Sequence, residues 1–464
     1  MADDLLPRAA ALFLRAAELG RDFRAGLDER AVFPRDLDPG AVRAALGELP
    51  DGPADPAAVL DQLREAVEPA LVASAGPRYF GFVTGGSLEA AAAADVLTTA
   101  WDQNGFNALT SPAAALVEEV AGGWLKDLLG LPPTASFGFV TGAQGGNTVG
   151  LAAARHAVLE RHGWDVERLG LHGAPRVRIV AGSGRHATID RALRLLGFGT
   201  DALAEVPTAP SGSIDVAALA GALSTSDAPT IVCLQAGEVN TGAFDDFRTA
   251  IAAAHARGAW VHVDGAFGLW AAASPRLRHL TEGVAEADSW ATDGHKWLNV
   301  PYDSGYAFCA HPAAHAAATS YTAAYLVGDR PETLRSPGDF VPDSSRRARG
   351  FTTWAALRQL GRAGVAELVE RSCALARRFA ARLSEAGAEV VNDVVLNQVL
   401  VGFGDHTPQV LEAVQRSGEC WMGGTVWRGR RLMRVSVSNW RTTEADVDRS
   451  VAAILAAWRE VQGR

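Results

Sequence analysis

The stretch Gly258-Ala-Trp-Val-His-Val-Asp264-Gly-Ala-Phe-Gly268 decides the fold. It opens with a glycine that can end a helix running from about Asp246, continues as a short apolar strand, and turns at small residues after a carboxylate. A carboxylate at the end of a buried strand needs a cationic or hydrogen-bonding partner, because burying an unpaired charge is costly. The stretch therefore predicts a helix, then a buried strand, then either a helix N-cap or a counter-ion at the carboxyl end of that strand.

The same alternation of strand and helix extends on both sides of this stretch. Short apolar runs separated by alanine-rich helical stretches predict strands at 177–180, 230–234, 259–263, 289–291 and 306–309. Such alternation indicates an α/β fold with a mostly parallel sheet covered by helices. We expect an N-terminal helical segment at 1–75, a large sheet domain at 76–335, and a loop followed by a small C-terminal domain at 336–464. In that last segment a helix is predicted around 371–386, with strands at 398–403 and 432–437.

Lysine is almost absent from the chain. Of the 43 basic residues only Lys126 and Lys296 are lysines. Arginine can replace the charge of lysine, but its guanidinium does not deprotonate in proteins and cannot act as an amine nucleophile. Lys126 stands where an amphipathic helix has a polar residue, which indicates a surface role. Lys296 follows an apolar strand in Asp288-Ser-Trp-Ala-Thr-Asp-Gly-His-Lys-Trp-Leu-Asn299, where open α/β folds collect their active sites, and is the candidate for amine chemistry.

Two further strand ends carry groups that could bind a ligand. In Phe137-Gly-Phe-Val-Thr-Gly-Ala-Gln-Gly-Gly-Asn-Thr148 a strand enters a glycine-rich turn and then a helix. Backbone N–H groups at such a helix start could cradle a phosphate, and a plain tight turn is the alternative. The spacing matches neither the P-loop nor the dinucleotide-binding fingerprint. His186, in a second turn after a strand, could stack on a flat ligand or be an ordinary loop histidine.

In chain order, the phosphate cradle, His186, Asp264 and the His295-Lys296 pair resemble the pyridoxal-phosphate-dependent group II amino-acid decarboxylases, the aromatic-L-amino-acid and glutamate decarboxylase group. The specific matches are His-Val-Asp-x-Ala at 262–266 and His-Lys-Trp at 295–297. The resemblance extends from about Pro77 to the C-terminus. It implies a fold-type-I enzyme with a large, mostly parallel sheet domain, helices on both faces and a small C-terminal α+β domain. It also implies a homodimer with shared active sites.

The resemblance implies a role for each matched residue. Lys296 would form the aldimine with pyridoxal 5'-phosphate, and Asp264 would pair with the protonated pyridine nitrogen. His186 would stack on one face of the ring and Ala266 would lie against the other, with His295 close by. No metal ligand is implied. The phosphate would be bound at the glycine-rich turn by Gly142, Ala143 and Gln144.

The chain departs from the family at the residue that protonates Cα. Decarboxylases of this group carry a tyrosine on a loop downstream of the lysine, but the five tyrosines here stand at 79, 302, 306, 321 and 325. Ser336 lies near the expected position. Either Tyr321 or Tyr325 is reused, or His186 donates the proton, or the intermediate meets another fate such as reaction with oxygen. A hydroxyl residue that the family places near the cofactor is also missing, and Asn240 could substitute for it.

Aromatic residues are candidates for the substrate pocket, with ordinary core packing as the alternative for each. By the resemblance, Phe106 would come from the other subunit of the dimer. Arg434 could hold the substrate carboxylate or solvate a strand edge, and the second role is favoured. The substrate is expected to be an apolar or aromatic L-amino acid. The pocket candidates are Phe80, Phe82, Trp101, Phe106 and Trp270.

Composition excludes several classes of function. At 464 residues with a net charge of -10 the chain has no basic stripe for nucleic acid, and its arginine pairs at 346–347 and 430–431 are expected to be solvated. No apolar run is long enough for a membrane span. The acidic N-terminus is unlike a signal peptide, and the four scattered cysteines favour reduced thiols, so we expect a cytoplasmic location.

These features together predict a lyase of amino-acid metabolism that uses pyridoxal phosphate to decarboxylate an L-amino acid at Cα, giving the amine and CO2. Other chemistry on the same scaffold is the alternative: an aldehyde synthase, a C–S lyase or an aminotransferase. A cofactor-binding relative without turnover is an alternative from a different class. The sequence does not determine which side chain is accepted or which group protonates Cα.

Overall fold

The structure is a computed structural model that describes residues 5–321 and 334–463. Its residues group into two compact units. The larger unit comprises Ser87–Arg377 and Val391–Leu400, and the smaller comprises Met1–Gly86, Arg378–Val390 and Val401–Arg464. These units divide the chain at Gly86 and Arg378, whereas the sequence suggested three consecutive segments at 1–75, 76–335 and 336–464. The three-segment division stays a prediction.

The described helices are α1 (Leu5–Ala25), α2 (Pro39–Leu46), α3 (Pro56–Val67), α4 (Glu89–Trp101), α5 (Pro112–Leu128), α6 (Ala143–Glu160), α7 (Val166–Leu169), α8 (Ala187–Leu195), α9 (Val216–Leu223), α10 (Phe247–His255), α11 (Pro312–Thr319), α12 (Gly350–Glu385), α13 (Thr407–Ser417) and α14 (Glu444–Gln462). The described strands are β1 (Tyr79–Phe80), β2 (Ser136–Val140), β3 (Arg178–Gly182), β4 (Leu203–Val206), β5 (Thr230–Gln235), β6 (Trp260–Asp264), β7 (Ser289–Asp293), β8 (Gly305–Cys309), β9 (Glu389–Val390), β10 (Gln398–Gly402), β11 (Trp421–Trp427) and β12 (Arg430–Ser436).

The larger unit is built on a seven-stranded sheet in the order β2-β8-β7-β6-β5-β3-β4. Strands β3 to β7 pair in parallel, and β8 runs antiparallel to both of its neighbours. Every residue of β5, β6 and β7 is buried, as expected for parallel strands covered on both faces. The α/β class with a mostly parallel sheet is confirmed, and the five strands predicted here lie within two residues of their observed bounds.

Helix α10 and strand β6 reproduce the stretch that decides the fold. Asp246 caps α10 by accepting a hydrogen bond from the Thr249 backbone N–H at 3.1 Å. The chain then reverses at Gly258, whose φ of 67° lies in the left-handed region that glycine adopts without strain. Strand β6 follows at once, and Asp264 is its last residue.

Glycines let helix α6 approach the sheet closely. A Cβ atom on Gly146 would stand 2.8 Å from the Ala291 Cβ atom of β7 and 3.0 Å from the Tyr306 carbonyl oxygen of β8. A Cβ atom on Gly150 would stand 2.6 Å from the ring of His262 on β6. Because neither contact leaves room for a side chain, α6 lies against the centre of the sheet with its N-terminus at the carboxyl ends of the strands.

The smaller unit carries a sheet in the order β1-β11-β12-β10-β9. Strand β1 is parallel to β11, and β11 is antiparallel to β12. Helix α12, predicted only from about residue 371, begins at Gly350 and is interrupted by the non-helical Gly361. That break hides the first half of the helix from a search for continuous helical periodicity.

Two arginines differ from their sequence-based interpretations, and Lys126 keeps a partly exposed position on helix α5. Arg434 does not solvate a strand edge: it is 8% exposed, because β12 is an interior strand. Arg346 is also buried, and its guanidinium pairs with the Glu118 carboxylate at 2.8 Å, as a buried charge requires. Lys126 is half-buried, and its amine donates to the carbonyls of Pro133 and Ala135 at 2.5 and 2.8 Å.

Candidate active site

Asp264 is a buried carboxylate that accepts hydrogen bonds at the end of β6. Its Oδ2 atom accepts from the Asn147 amide nitrogen of α6 at 3.0 Å and from the Thr188 hydroxyl at 3.5 Å. Its Oδ1 atom accepts from the Ala266 backbone N–H at 3.2 Å. An ionised carboxylate offers about four lone-pair positions, so Asp264 retains capacity for a further donor such as a protonated ring nitrogen.

Lys296 lies on the turn after β7, beside a second buried carboxylate. The Lys296 Nζ atom is 3.1 Å from Asp293 Oδ2, and Asp293 is the last residue of β7. Asp293 Oδ1 accepts from the Ala143 backbone N–H at 2.5 Å. The single lysine of the turn is therefore held at the N-terminus of α6 by a carboxylate that bridges the two elements.

His295 is neutral in this environment, because burial lowers the pKa of its imidazole. Its Nδ1 atom accepts from the Ser304 backbone N–H at 3.2 Å, so the ring proton is on Nε2. The Nε2 atom lies 3.5 Å from Asp293 Oδ1. His295 thus faces the same carboxylate as Lys296.

His186 stands at the start of α8 on the carboxyl side of β3. Its ring Nδ1 atom is 2.9 Å from the Thr188 hydroxyl, and its backbone N–H donates to the Gln235 side-chain oxygen at 3.1 Å. Thr188 in turn contacts Asp264, and its carbonyl accepts from the Gln144 side chain at 3.3 Å. Contacts through Thr188 therefore link His186, Asp264 and the glycine-rich turn.

The N-terminus of α6 fits a phosphate group at its donor atoms. Gly142 precedes the helix without a side-chain cap, which leaves backbone N–H groups to an outside acceptor. The Ala143 N–H is engaged by Asp293, so a bound phosphate would share or replace that bond. With an amine on Lys296, an acceptor on Asp264 and these amides, the donor set fits pyridoxal 5'-phosphate.

The tyrosines differ in their environments. The Tyr321 hydroxyl is 2.7 Å from the Ser344 hydroxyl, and its ring stacks on Phe106 with a centroid distance of 6.2 Å. Tyr306 is buried, which raises the pKa of its phenol to about 12. Tyr302 is exposed, and its ring centroid lies 5.1 Å from that of His295. Tyr325 lies outside the described residues.

The five aromatic pocket candidates have different environments. Phe80 packs edge-on against Phe379 at 4.9 Å and is fully buried in the smaller unit, which is the contact of a core residue. Phe82 belongs to the same unit and is exposed. Trp101 and Phe106 belong to the larger unit, where Trp101 is half exposed. Their role in a substrate pocket stays a prediction, and Trp270, also considered, is buried and donates to the Asp293 carbonyl at 3.0 Å.

Sequence reasoning did not single out Asp293, Asn147 or Tyr302. Asp293 carried a usable signal, since it is a carboxylate that ends a strand three positions before the lysine. Asn147 carried none, because a polar residue in a helix gives no sign of which side chain it will meet. Asn240, suggested as a hydroxyl substitute, hydrogen-bonds the Glu238 carboxylate at 2.8 Å through its side-chain nitrogen.

The fold and the site define a fold-type-I pyridoxal-phosphate enzyme. Residues 39–403 match the family model described as the pyridoxal-dependent decarboxylase conserved domain. The chain belongs to this family. It is a pyridoxal-phosphate-dependent carboxy-lyase acting on an L-amino acid, so the predicted family, fold class, cofactor and reaction class are confirmed.

Similar proteins are known individually. Tryptophan decarboxylase 1 of Oryza sativa subsp. japonica is 28% identical over 92% of this chain and 88% of its own length. Phenylacetaldehyde synthase of a Rosa hybrid cultivar is 25% identical over 95% of this chain and 90% of its own. The crystal structure of Oryza sativa TDC with PLP and tryptamine superposes with a TM-score of 0.90 at 25% identity, covering 99% of this chain and 98% of that one.

Two negative findings apply to residues 5–321 and 334–463. Within these ranges no helix is long and apolar enough to cross a membrane. In the same part of the chain, no cluster of three or more His, Cys, Asp or Glu side chains is arranged to hold a metal ion.

Proposed function

We propose that the chain decarboxylates an aromatic L-amino acid, with Lys296, Asp264 and His186 as its catalytic residues. One observation carries the assignment of these roles. Asp264 ends β6 in register with Ala291 of the neighbouring parallel strand β7, and Lys296 lies on the turn that follows β7. An amine and a carboxylate therefore occupy adjacent strand ends, where open α/β sheets bind ligands. The aromatic substrate class is supported by the named activities of the similar proteins.

Each residue would contribute one step. The bound cofactor supplies an electron sink for the pair of electrons that the departing carboxylate leaves at Cα. Lys296 would bind the cofactor through its amine, and Asp264 would keep the proton on the ring nitrogen by accepting it in a hydrogen bond. His186 would stack on the cofactor ring, and the contact of its Nδ1 atom with the Thr188 hydroxyl at 2.9 Å supports a defined position for the imidazole. His295 and Ala266 would complete the walls of the site.

The phosphate would be bound at the start of α6 by the backbone of Gly142, Ala143 and Gln144. This proposal is supported by the missing side-chain cap and by the position of Asp293, an acceptor already bonded to the Ala143 N–H. Phosphate oxygens are acceptors of the same kind. The weaker pocket assignment of Trp101 and Phe106 is supported by the half exposure of Trp101 and by the stacking of Phe106 on Tyr321.

An aldehyde synthase is the second candidate. The observation that favours it is that no tyrosine follows residue 325 in the sequence, while a phenylacetaldehyde synthase is among the similar proteins. Decarboxylation needs a proton at Cα and yields amine and CO2. Without a proton donor, Cα would be oxidised by O2 with water, giving aldehyde, CO2, ammonia and hydrogen peroxide. Of the donors suggested by the sequence, Tyr321 and His186 lie among the described residues, and Tyr302, whose ring lies beside that of His295, is a further candidate for the first outcome.

The test is turnover of tryptophan, tyrosine and phenylalanine in deuterated water with an oxygen electrode. We expect amine with a single deuterium at Cα and no oxygen uptake. Aldehyde formed in step with oxygen uptake would replace the decarboxylase proposal by the synthase. If none of the three amino acids is consumed but an aliphatic or acidic one is, the aromatic substrate class is wrong. If amine is formed, the variants Tyr302→Phe and Tyr321→Phe test which tyrosine protonates Cα, because loss of that donor should abolish amine formation.

We also propose a homodimer. Helix α5 presents Leu116, Val120 and Trp124 to solvent on one face, where their spacing of four residues brings them into line. Trp354 stacks on Trp124 at 6.2 Å and extends this apolar face. An exposed apolar face is a feature of surfaces that bind another protein molecule, and it supports the proposal. Active sites shared between the subunits follow from the family resemblance and stay part of the proposal.

A cytoplasmic location is proposed on the state of the thiols. All four cysteines are free and buried, and none is paired in a disulfide. Such cysteines are typical of proteins kept in a reducing compartment.

A further inference from the structure

A chain of four hydrogen bonds crosses the core and ends on Asp264. The Trp260 indole nitrogen lies 2.9 Å from the Ser289 hydroxyl, which lies 2.8 Å from His262 Nδ1. His262 Nε2 lies 3.0 Å from Asn147 Oδ1, and Asn147 Nδ2 lies 3.0 Å from Asp264 Oδ2. The chain thus joins β6, β7 and α6 within the larger unit.

The two ends of this chain determine its direction. Trp260 can only donate, because an indole nitrogen carries a hydrogen and no available lone pair, and the ionised Asp264 carboxylate can only accept. Asn147 must therefore turn its NH2 group to Asp264 and its oxygen to His262. His262 must in turn donate from Nε2 and accept at Nδ1 from the Ser289 hydroxyl. Every donor in the chain points towards Asp264.

Burial keeps the chain in this state. Trp260, Ser289, His262 and Asn147 are each fully buried. Desolvation lowers the pKa of His262 to about 3, so the imidazole is neutral at physiological pH. A charged imidazole would carry a hydrogen on Nδ1 as well, so Nδ1 could no longer accept a hydrogen bond from the Ser289 hydroxyl. Helix α6 approaches the His262 ring so closely at Gly150 that no Cβ atom would fit there, and this contact holds the ring in the hydrogen-bond chain.

We propose that Asn147, His262, Ser289 and Trp260 are positioning residues that hold Asp264 as a fixed acceptor, so that the proton between Asp264 and the cofactor resides on the ring nitrogen. Hydrogen bonds donated to a carboxylate stabilise its ionised form, and aligned donors strengthen one another. The inference rests on the proposed pairing of Asp264 with the cofactor. It adds residues that do not touch the cofactor but act on it through Asp264.

The fold contains a matched control. Ser136 Oγ lies 2.9 Å from His315 Nδ1, and His315 Nε2 lies 3.0 Å from the Phe340 carbonyl oxygen. His315 is buried, and burial lowers its pKa to about 3 as well. This second serine and histidine pair has the chemistry and burial of the first, but it ends on a backbone carbonyl instead of Asp264. Ser136→Ala, like Ser289→Ala, removes a buried hydroxyl beside a neutral histidine, but without a connection to Asp264. The two variants differ in one further bond: Ser136 donates to the Cys309 carbonyl at 3.2 Å, whereas Ser289 accepts from the Trp260 indole.

The experiment measures the protonation of the cofactor directly. Holoenzymes of the wild type, Ser289→Ala, Asn147→Leu, Asp264→Asn and Ser136→Ala are loaded with pyridoxal phosphate labelled with 15N at the ring nitrogen. Solid-state 15N NMR then reports whether that nitrogen carries a proton. We expect Asp264→Asn to move the resonance towards the unprotonated form, Asn147→Leu and Ser289→Ala to move it part of the way, and Ser136→Ala to leave it unchanged.

Turnover provides a second readout. In Ser289→Ala we expect kcat to fall about ten-fold with little change in KM, of the size seen when outer partners of a ligating group are removed. If the resonance is unchanged in both Ser289→Ala and Asn147→Leu but shifts in Asp264→Asn, the positioning role of the hydrogen-bond chain is wrong. The pairing of Asp264 with the ring nitrogen would still stand. No shift in Asp264→Asn would instead show that the ring nitrogen pairs elsewhere. A shift in Ser136→Ala equal to that in Ser289→Ala would contradict the proposal, because it would show that loss of any buried hydroxyl has the same effect. If Asn147→Leu does not fold, the resonance of Ser289→Ala alone decides the test.

Discussion

Lys296 is the only lysine whose amine lies beside the groups of the candidate site. We expect Lys296→Arg to abolish turnover, because a guanidinium cannot exchange imines with the cofactor and the substrate. Borohydride treatment of the wild-type holoenzyme should attach the cofactor to the peptide that holds Lys296, as seen by mass spectrometry. Lys126→Arg is the control and should retain activity. Label on Lys126 would contradict the assignment.

Asp264 should matter through its charge more than its shape. Asp264→Asn keeps the volume but removes the negative charge that stabilises a protonated ring nitrogen, and we expect turnover to fall about 100-fold, as when other preorganised electrostatic groups are removed. The measurement is kcat at saturating cofactor and substrate. Turnover near the wild-type value would mean that the charge is not used.

The residues that the sequence did not predict explain the limits of such reasoning. Lys296 and Asp264 could be found because rarity or an unusual position at a strand end distinguishes them in the sequence. The pairing of Asp293 with both Lys296 and Ala143 depends on how closely α6 approaches β7, which is set by glycines on one element and small residues on the other. Such contacts between elements distant in sequence are not encoded in any local pattern.

At the scale of elements, the buried strands were predicted well because they are short, apolar and bounded by glycine or polar residues. The helix α12 was predicted only in part, because the break at Gly361 interrupts its periodicity. Strand β11, which contains two adjacent glycines, also escaped prediction. In α12 and β11, glycine interrupts the pattern on which the prediction of each element depends.

The start of β7 gives a prediction on stability. Burial opposes ionisation of Asp288, but hydrogen bonds from His311 at 2.8 Å, from the Val261 backbone at 2.7 Å and from His255 at 3.0 Å outweigh it and lower the pKa of the carboxyl group. A lowered pKa means that ionised Asp288 stabilises the fold above the unfolded value of about 3.9 and that this stability is lost as the pH falls through the folded value.

We therefore expect Asp288→Asn to lower the free energy of unfolding by about 1 to 3 kcal/mol at pH 7, because a buried acceptor of charged hydrogen bonds is lost. The difference from the wild type should shrink below about pH 4. The midpoint of urea unfolding at each pH measures it. Asp246→Asn, which removes charge at an exposed helix cap but can still accept from Thr249, serves as the control. A difference that is the same at every pH would refute the ionised state as its source.

At the scale of the whole molecule, the apolar face of α5 predicts self-association. Val120→Glu would place a charge in the proposed interface, where burying it unpaired is costly, and should convert the dimer to a monomer in sedimentation velocity. Leu195→Glu is the matched control, because Leu195 is 69% exposed on α8 and lies outside the α5 face. A Val120→Glu protein that still sediments as a dimer would place the interface on another surface.

The near absence of lysine, noted first as a clue to the site, also allows the fraction of sites that hold the cofactor to be measured by labelling a single residue. Apart from the α-amino group, the sequence offers an acylating reagent only two amines, and the amine of Lys126 donates to two backbone carbonyls. We expect an activated ester to modify Lys296 when the cofactor is withheld and to leave it unmodified when pyridoxal phosphate is bound. Peptide mapping of one residue would then count loaded sites in a mixture, without any assay of turnover.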